Sequence, residues 1–285
     1  MNSFYITVLS DSSMVMFSNN TQSEFRAKLA RPIELDKANW EMGLVELIIP
    51  SQIVNISDPE SHFEVVTTDD RLGKEFENQN HRCKRQTQGY AVPICFKPGT
   101  YATPFHVLEE IDTAIQTALG TVFEKRRVVF HLKYSTGTKR VKFSSESEKI
   151  EIGVKFHPHL ALKLGASEKI GIMGGIFPQD PDPFPYGVDL NIGCNHMFIY
   201  SDLAEYTMVG DIQAPLLRVV PFQKPDGEDN HTHKEFINVH YVPIGKSKFD
   251  EIGINIRGDM GQPVQFVGGK SMVKLHFRKK SRLLL

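Results

Sequence analysis

The side chains whose types and spacing best suit chemistry are histidines. His231-Thr232-His233, with His240 further on, would turn imidazoles to one side of a strand, because alternate strand residues share a face. A cupin-like metal enzyme would use His231, His233 and His240 as ligands. Asp226, Glu228 and Asp229 stand just upstream and would add oxygen ligands. Yet Lys224-Pro225-Asp226-Gly227-Glu228-Asp229-Asn230 has the composition of a solvated turn, so histidines carried on an exposed loop are the expectation. His157 and His159 repeat the pattern more weakly. Cys83, Cys95 and Cys194 lack the near-neighbour spacing of a zinc site and are expected as buried thiols. The chain has no Gly-x-x-x-x-Gly-Lys-Ser/Thr loop, Gly-x-Ser-x-Gly elbow or His-Glu-x-x-His helix. Gly171-Ile172-Met173-Gly174-Gly175 does not join a strand to a good helix. No catalytic residue, metal ligand or cofactor is assigned on these grounds.

Charge offers two further candidates. Lys125-Arg126-Arg127 with Lys133, Lys139, Arg140 and Lys142 makes a basic hairpin. Arg278, Lys279, Lys280 and Arg282 make a basic C-terminal segment. Either would meet phosphates or serve as solubilising charge. The terminal segment is the stronger contact candidate, since an arm reaches a partner without a built pocket.

The elements that must position these residues are mostly short strands. Phe4-Tyr5-Ile6-Thr7-Val8-Leu9 is β-branched and aromatic, Glu24-Phe25-Arg26-Ala27-Lys28-Leu29 alternates, and residues 40–49 form a third run stopped by Pro50. Arg31-Pro32 is expected to end the second. Five more runs follow at 197–201, 216–222, 236–242, 252–257 and 271–277. Between them, residues 69–88 read as an exposed loop. Residues 101–119 read as a helix with Thr103 as N-cap, Pro104 at the first position and Gly120 as the C-terminal stop. Residues 128–134 and 139–143 flank a Ser-Thr-Gly-Thr turn as a hairpin. A strand at 149–154, one or two helical turns at 158–164 and a proline-rich linker at 177–185 complete the middle.

Three strands before residue 58 and five after 190 suit a single eight-stranded jelly roll, mainly β, with an inserted α+β module. The expected domains are 1–57 with 191–285, discontinuous, and 58–190. Lys plus Arg number 33 and Asp plus Glu 34, a net charge of −1, which argues against a dedicated nucleic-acid binder. No stretch approaches the roughly 18 apolar residues of a membrane span, and no secretory signal is expected at Met1-Asn2-Ser3-Phe4.

Several segments, in order, resemble a known family. They are Phe4-Tyr5-Ile6-Thr7-Val8-Leu9-Ser10-Asp11-Ser12-Ser13-Met14, Asn19-Asn20-Thr21-Gln22-Ser23-Glu24-Phe25, Leu29-Ala30-Arg31-Pro32-Ile33-Glu34-Leu35 and Trp40-Glu41-Met42-Gly43-Leu44-Val45-Glu46-Leu47. Near the C-terminus come Ile199-Tyr200-Ser201-Asp202-Leu203, Val209-Gly210-Asp211-Ile212-Gln213-Ala214-Pro215-Leu216-Leu217-Arg218-Val219-Val220, Ile254-Asn255-Ile256-Arg257-Gly258-Asp259-Met260-Gly261-Gln262-Pro263-Val264 and Val273-Lys274-Leu275-His276-Phe277-Arg278. Together they resemble the minor capsid (penton) proteins of Polinton, or Maverick, virus-like transposons, related to virophages and adintoviruses.

The resemblance implies a virion protein, made in the host cytoplasm with the nucleus as a candidate place of assembly, that forms a homopentamer at icosahedral vertices. Its partner would be a double jelly-roll major capsid protein. It implies no enzyme activity, no cofactor and no membrane. A closing ring needs two different side surfaces, and Val209, Gly210, Asp211, Pro215, Arg218, Arg257 and Asp259 are the expected subunit interface. Arg278, Lys279, Lys280 and Arg282 would touch the major capsid protein or packaged DNA. The rival readings are a glycan- or peptide-binding β-sandwich and the cupin-like metal enzyme.

Overall fold

A computed structural model describes residues 2–79, 83–86, 89–145, 152–166, 176–177, 184–222 and 230–280. The chain opens with β1 (Ser3–Leu9), β2 (Glu24–Glu34) and β3 (Trp40–Pro50). β2 runs through Arg31-Pro32, where an end was expected. It lies at a sheet edge, and its register with the strand Lys248–Arg257 jumps from Phe249 opposite Ile33 to Glu251 opposite Lys28. Pro32, which has no N–H to donate, falls in that irregularity and costs the ladder nothing. β3 buries Met42 and Leu44, then Leu47 and Ile49, so its alternation changes phase. The cause is a bulge: Lys274 faces Glu46 but Leu275 faces Leu44, leaving Val45 as the extra residue.

The chain then leaves for a second compact unit, Val54–Ile192, and returns to complete the first, Met1–Ile53 with Gly193–Leu285. These boundaries lie four residues before and two after the expected ones. The second unit contains a 3-10 turn (Pro59–Ser61), β4 (His62–Thr67), α1 (Asp70–Gln79), β5 (Lys84–Gln86), β6 (Gly89–Cys95), α2 (Pro104–Arg126), β7 (Phe130–Ser135), β8 (Arg140–Ser145), β9 (Ile152–Phe156), α3 (Pro158–Lys163) and β10 (Ile176–Phe177). A five-stranded antiparallel sheet has the order β10-β9-β4-β6-β5, and β7 and β8 pair as a separate hairpin.

Two expectations need correcting in this unit. Residues 69–88 are not simply a loop. Leu72 and Phe76, one helical turn apart, are fully buried on α1, and Asp69 accepts the Leu72 N–H at 2.7 Å as its cap. Two apolar residues in ten gave too faint a periodicity to see. Helix α2 passes Gly120 and ends at Arg127, which takes a left-handed φ of 52°. The stripe of Ile111, Ile115 and Leu119 continues into Val122 and Phe123, and burying that extra turn outweighs a glycine's helix penalty of about 1 kcal/mol. Thr103 has the extended backbone of a cap, but its side chain makes no capping bond.

A buried ion pair ties the 3-10 turn to α3. Lys163 Nζ reaches Glu60 at 2.6 Å, with side-chain exposures of only 9% and 7%, and donates to the Asn55 carbonyl at 2.8 Å. Glu60 also accepts from the Ser57 N–H and hydroxyl.

Back in the first unit lie β11 (His196–Ser201), β12 (Thr207–Val209), β13 (Ile212–Ala214), β14 (Leu216–Pro221), β15 (His231–Glu235), β16 (Tyr241–Pro243), β17 (Lys248–Arg257) and β18 (Met272–Lys279). One sheet runs β1-β18-β3, with β15 and β16 both on the free side of β3. The other runs β14-β11-β17-β2. With β15 and β16 counted as one interrupted strand, and the β12–β13 hairpin set apart, eight strands remain. Their orders are first-eighth-third-sixth and fifth-fourth-seventh-second, which is a jelly roll. The second unit occupies the connection between its third and fourth strands.

The strand expected at 236–242 is displaced. Residues 231–235 form β15, and residues 236–240 are the interruption. β15 is polar and lies on an edge, so backbone pairing with β3 holds it without an apolar face. The bulged Val45 carbonyl accepts the Phe236 N–H at 2.9 Å, just where the pairing stops. Between the sheets, Phe277 stacks on Phe4 at 5.0 Å and Phe249 at 5.9 Å, among buried Leu44, Leu47, Ile199, Ile252, Ile256 and Leu275. Among the described residues, no helix is long and apolar enough to cross a membrane.

Candidate functional site

The first unit carries a small hairpin between its fourth and fifth jelly-roll strands. β12 and β13 pair with Val209 opposite Ile212, so Gly210-Asp211 is a two-residue turn. Gly210 has φ 62° and Asp211 is not in the positive-φ region, the pattern of a type II′ turn that needs glycine first. The hairpin is too short to fold its apolar residues onto a core. Tyr206 and Met208 are each 66% exposed and Ile212 is 57% exposed.

The hairpin stands beside a groove of about 780 Å³. Arg26 of β2, Asn255 of β17 and Tyr200 of β11 are among its floor residues, and Ile212, Ala214 and Pro215 are on the hairpin side. Arg257 and Gly261 also line it. The two segments expected at an interface, 209–220 and 257–264, therefore meet at one groove. Their sequence separation hid that proximity.

Three charged members of the expected set, Arg218, Arg257 and Asp259, already have partners. Arg257 donates to Glu24 at 3.1 Å, to the Gly261 carbonyl at 2.7 Å and to Asn255 at 3.1 Å, which holds the turn after β17. Asp259 accepts from the Asn195 N–H at 2.6 Å and the His196 N–H at 3.3 Å, and meets His196 Nδ1 at 3.0 Å. It anchors the chain entering β11. Arg218 lies 4.0 Å over the Phe236 ring and donates to the Asn238 carbonyl, linking the two sheets at one edge. Burial pushes its pKa down from the ordinary arginine value. What is left on the surface is the hairpin: Val209, Gly210 and Asp211 at the tip, with Tyr206, Met208 and Ile212 beside them.

The groove's charges are likewise paired. Asp202 lies 2.9 Å from Lys246 and 3.7 Å from Arg26, and accepts the Gly253 N–H at 2.7 Å. Burial raises the Tyr200 phenol, opposed by the nearby Arg257 charge. A paired, mixed-charge groove beside an apolar hairpin suits a protein surface better than a small ionic ligand. Sequence reasoning missed Tyr206, Met208 and Ile212. Their signal was three large apolar residues flanking a glycine turn, with too little chain on either side to bury them.

The histidines do not assemble as a three-imidazole site. Among the described residues, His233 Nε2 instead lies 3.1 Å from Glu46 and 3.9 Å from Glu235, while Lys274 Nζ holds Glu46 at 2.9 Å. His231 shares β15 with His233, but His240 falls in the strand interruption. Asp226, Glu228, Asp229 and the 171–175 glycine run lie outside the described residues. Cys95 is exposed, contrary to the buried thiol expected, and Cys83 is half-buried with its thiol pushed up by burial.

The basic C-terminal segment is not a free arm through Lys280. Arg278 is inside β18, donates to Glu41 at 2.7 Å and lies 3.4 Å over the Tyr241 ring. The Lys279 N–H bonds the Asn2 carbonyl and the Lys280 N–H bonds that of Asn39. The sheet simply continues through these residues. Arg282 lies outside the described residues.

No protein-family model matches the chain, and no curated protein matches it by sequence. Solved structures do. The mavirus penton protein aligns over 98% of this chain and 99% of its own, with 12% identity and a TM-score of 0.50. A chain from the cryo-EM structure of the Sputnik virophage aligns over 99% of both, with 13% identity and a TM-score of 0.46.

Proposed function

We propose that this protein is a structural minor capsid subunit, a penton, that closes into a fivefold ring at the vertices of a virophage-like or Polinton-like particle. One observation carries the reading. A jelly roll interrupted between its third and fourth strands by a 139-residue unit aligns from end to end with the mavirus penton protein. The strand order supports it independently of identity, because two Greek keys closed into two sheets are a common shell-building architecture.

The candidate surface fits this role. A ring needs a heterologous contact, in which one patch meets a different patch on the next copy. The hairpin of Tyr206, Met208 and Ile212 is one such patch, and Val209, Gly210, Asp211 and Pro215 shape it. Arg218, Arg257 and Asp259 act one layer back, by holding the strands and turns beneath the contact. A double jelly-roll major capsid protein is the proposed neighbour in the shell. A contact of Lys279, Lys280 and Arg282 with that protein or with packaged DNA remains part of the proposal; Arg278 serves the sheet.

The test is the mass of the purified protein, alone and mixed with its major capsid protein. A closed ring has a mass of about 160 kDa, five times the 32.3 kDa chain. Mass photometry and fivefold particle averages are the expected result. A chain that stays monomeric with the major capsid protein present, or forms a twofold dimer, overturns the assignment.

A further inference from the structure

The second unit carries a charge pattern that the capsid reading does not use. β7 and β8 pair with His131 opposite Ser144, Lys133 opposite Lys142 and Ser135 opposite Arg140. These three pairs share one face of the hairpin. Lys133, Arg140 and Lys142 are exposed on it, and exposed Lys139 stands in the adjoining turn. Lys133 and Lys142 are like charges directly opposite each other, a pairing that destabilises a hairpin.

The rest of the protein treats such positions differently. Lys28 faces Glu251, Lys248 faces Glu34, Lys274 faces Glu46, Arg278 faces Glu41 and Lys155 faces Glu64, each as an ion pair of 2.5–3.5 Å. Glu235 faces Glu46, but His233 stands between them, 3.1 Å from Glu46 and 3.9 Å from Glu235, and Lys274 pairs with Glu46. Among the described residues, Lys133, Lys139, Arg140 and Lys142 have no carboxylate partner. Glu146 and Glu148, next in the sequence, lie outside those residues.

We propose that this face binds a sulfated linear polysaccharide, whose sulfates supply the counter-charge that no described carboxylate gives it. The cations repeat at about 5 Å across the strands and about 7 Å along them. That pitch suits closely spaced anionic groups on a flexible chain. The opposite face is committed inward: Val141 is buried, Leu132 packs on the unit's core, and Tyr134 meets Phe105 edge-on at 5.1 Å. Among the described residues, the cationic face therefore offers only His131 for stacking on nucleobases, and the ribbon cannot enter a duplex groove with both faces free. A rigid duplex would also extend beyond these four cations over a chain whose net charge is −1.

The experiment titrates the full-length protein with a size-defined heparin oligosaccharide, with desulfated heparin and with duplex DNA at equal salt. Heparin binding that weakens steeply with salt is expected. Changing Lys133, Lys139, Arg140 and Lys142 together to Ser should lower affinity at least about tenfold. Lys133→Glu alone turns the like pair into an opposite pair. It should weaken heparin binding while raising the melting temperature by roughly 1–3 °C. The proposal is overturned by unchanged heparin binding in the four-serine variant, by equal binding of desulfated heparin, by tighter binding of duplex DNA, or by a lower melting temperature for Lys133→Glu.

Discussion

Lys163→Met would separate the buried ion pair of the second unit from everything else that holds it together. The substitution keeps an unbranched chain of similar length and removes the ammonium. Glu60 then keeps its two Ser57 donors but loses its counter-charge in a site where its side chain is 7% exposed. Breaking a buried pair by deleting one partner costs about 3–5 kcal/mol, because the remaining charge is uncompensated. For a unit of this size, the melting temperature should fall by on the order of 10 °C. Adding Glu60→Gln removes that charge while preserving an acceptor for Ser57. The double variant should therefore recover most of the loss, leaving roughly 1 kcal/mol for the Asn55 carbonyl that Lys163 Nζ no longer serves.

The pH dependence supplies the sign. Burial raises the Glu60 carboxyl, but Lys163 and the Ser57 hydrogen bonds outweigh it and hold it below the ordinary 4.5. Its contribution in the native protein is thus present above about 4.5 and is lost as pH falls through the lower folded-state value. In Lys163→Met, burial acts with its main opponent removed, and the carboxyl is raised instead. That variant is penalised once pH rises through the raised value and relieved below 4.5. Both movements narrow the gap between the two proteins as pH falls from 7 to 4. Thermal melts of the three proteins across that range measure it. A gap that stays constant with pH, or a double variant no better than Lys163→Met, would refute the charge argument and leave packing as the cause.

Replacing Tyr206, Met208 and Ile212 together with Ser should leave the melting temperature within about 2 °C, since all three are more than half exposed, yet prevent ring formation in mass photometry. Rings at an unchanged protein concentration would remove the hairpin from the interface. Arg278→Ser should destabilise the jelly-roll unit by roughly 1–2 kcal/mol in urea melts, through loss of the Glu41 bond and the Tyr241 stack. Lys280→Ser should change stability by under about 0.5 kcal/mol, and equal effects of the two would contradict the sheet placement of Arg278.

Sequence alone located seven of the jelly roll's eight strands. Period-two and β-branched runs mark those strands, and three before the insertion with five after it suffice to close two sheets. It also placed the start of α2, because Pro104 tolerates only the first helical turn. The basic hairpin and the Gly210-Asp211 turn were legible for the same reason: each depends on neighbours along the chain. What remained hidden depends on partners that are distant in sequence. β15 has no apolar face and is a strand because β3 offers it a free backbone edge. Pro32 is tolerated because the register with β17 skips there, and Val45 is extra because β18 slips by one residue. Arg278 reads as part of a basic arm until Glu41 and Tyr241 are seen beside it. The groove unites residues near 26, 212 and 257, which no local pattern connects. Register also decides sign: the sequence holds 33 basic and 34 acidic residues, but only strand pairing sets Lys274 against Glu46 and Lys133 against Lys142. Local periodicity records which face of an element is buried. The opposing charge or backbone edge belongs to another segment, and tertiary folding chooses it.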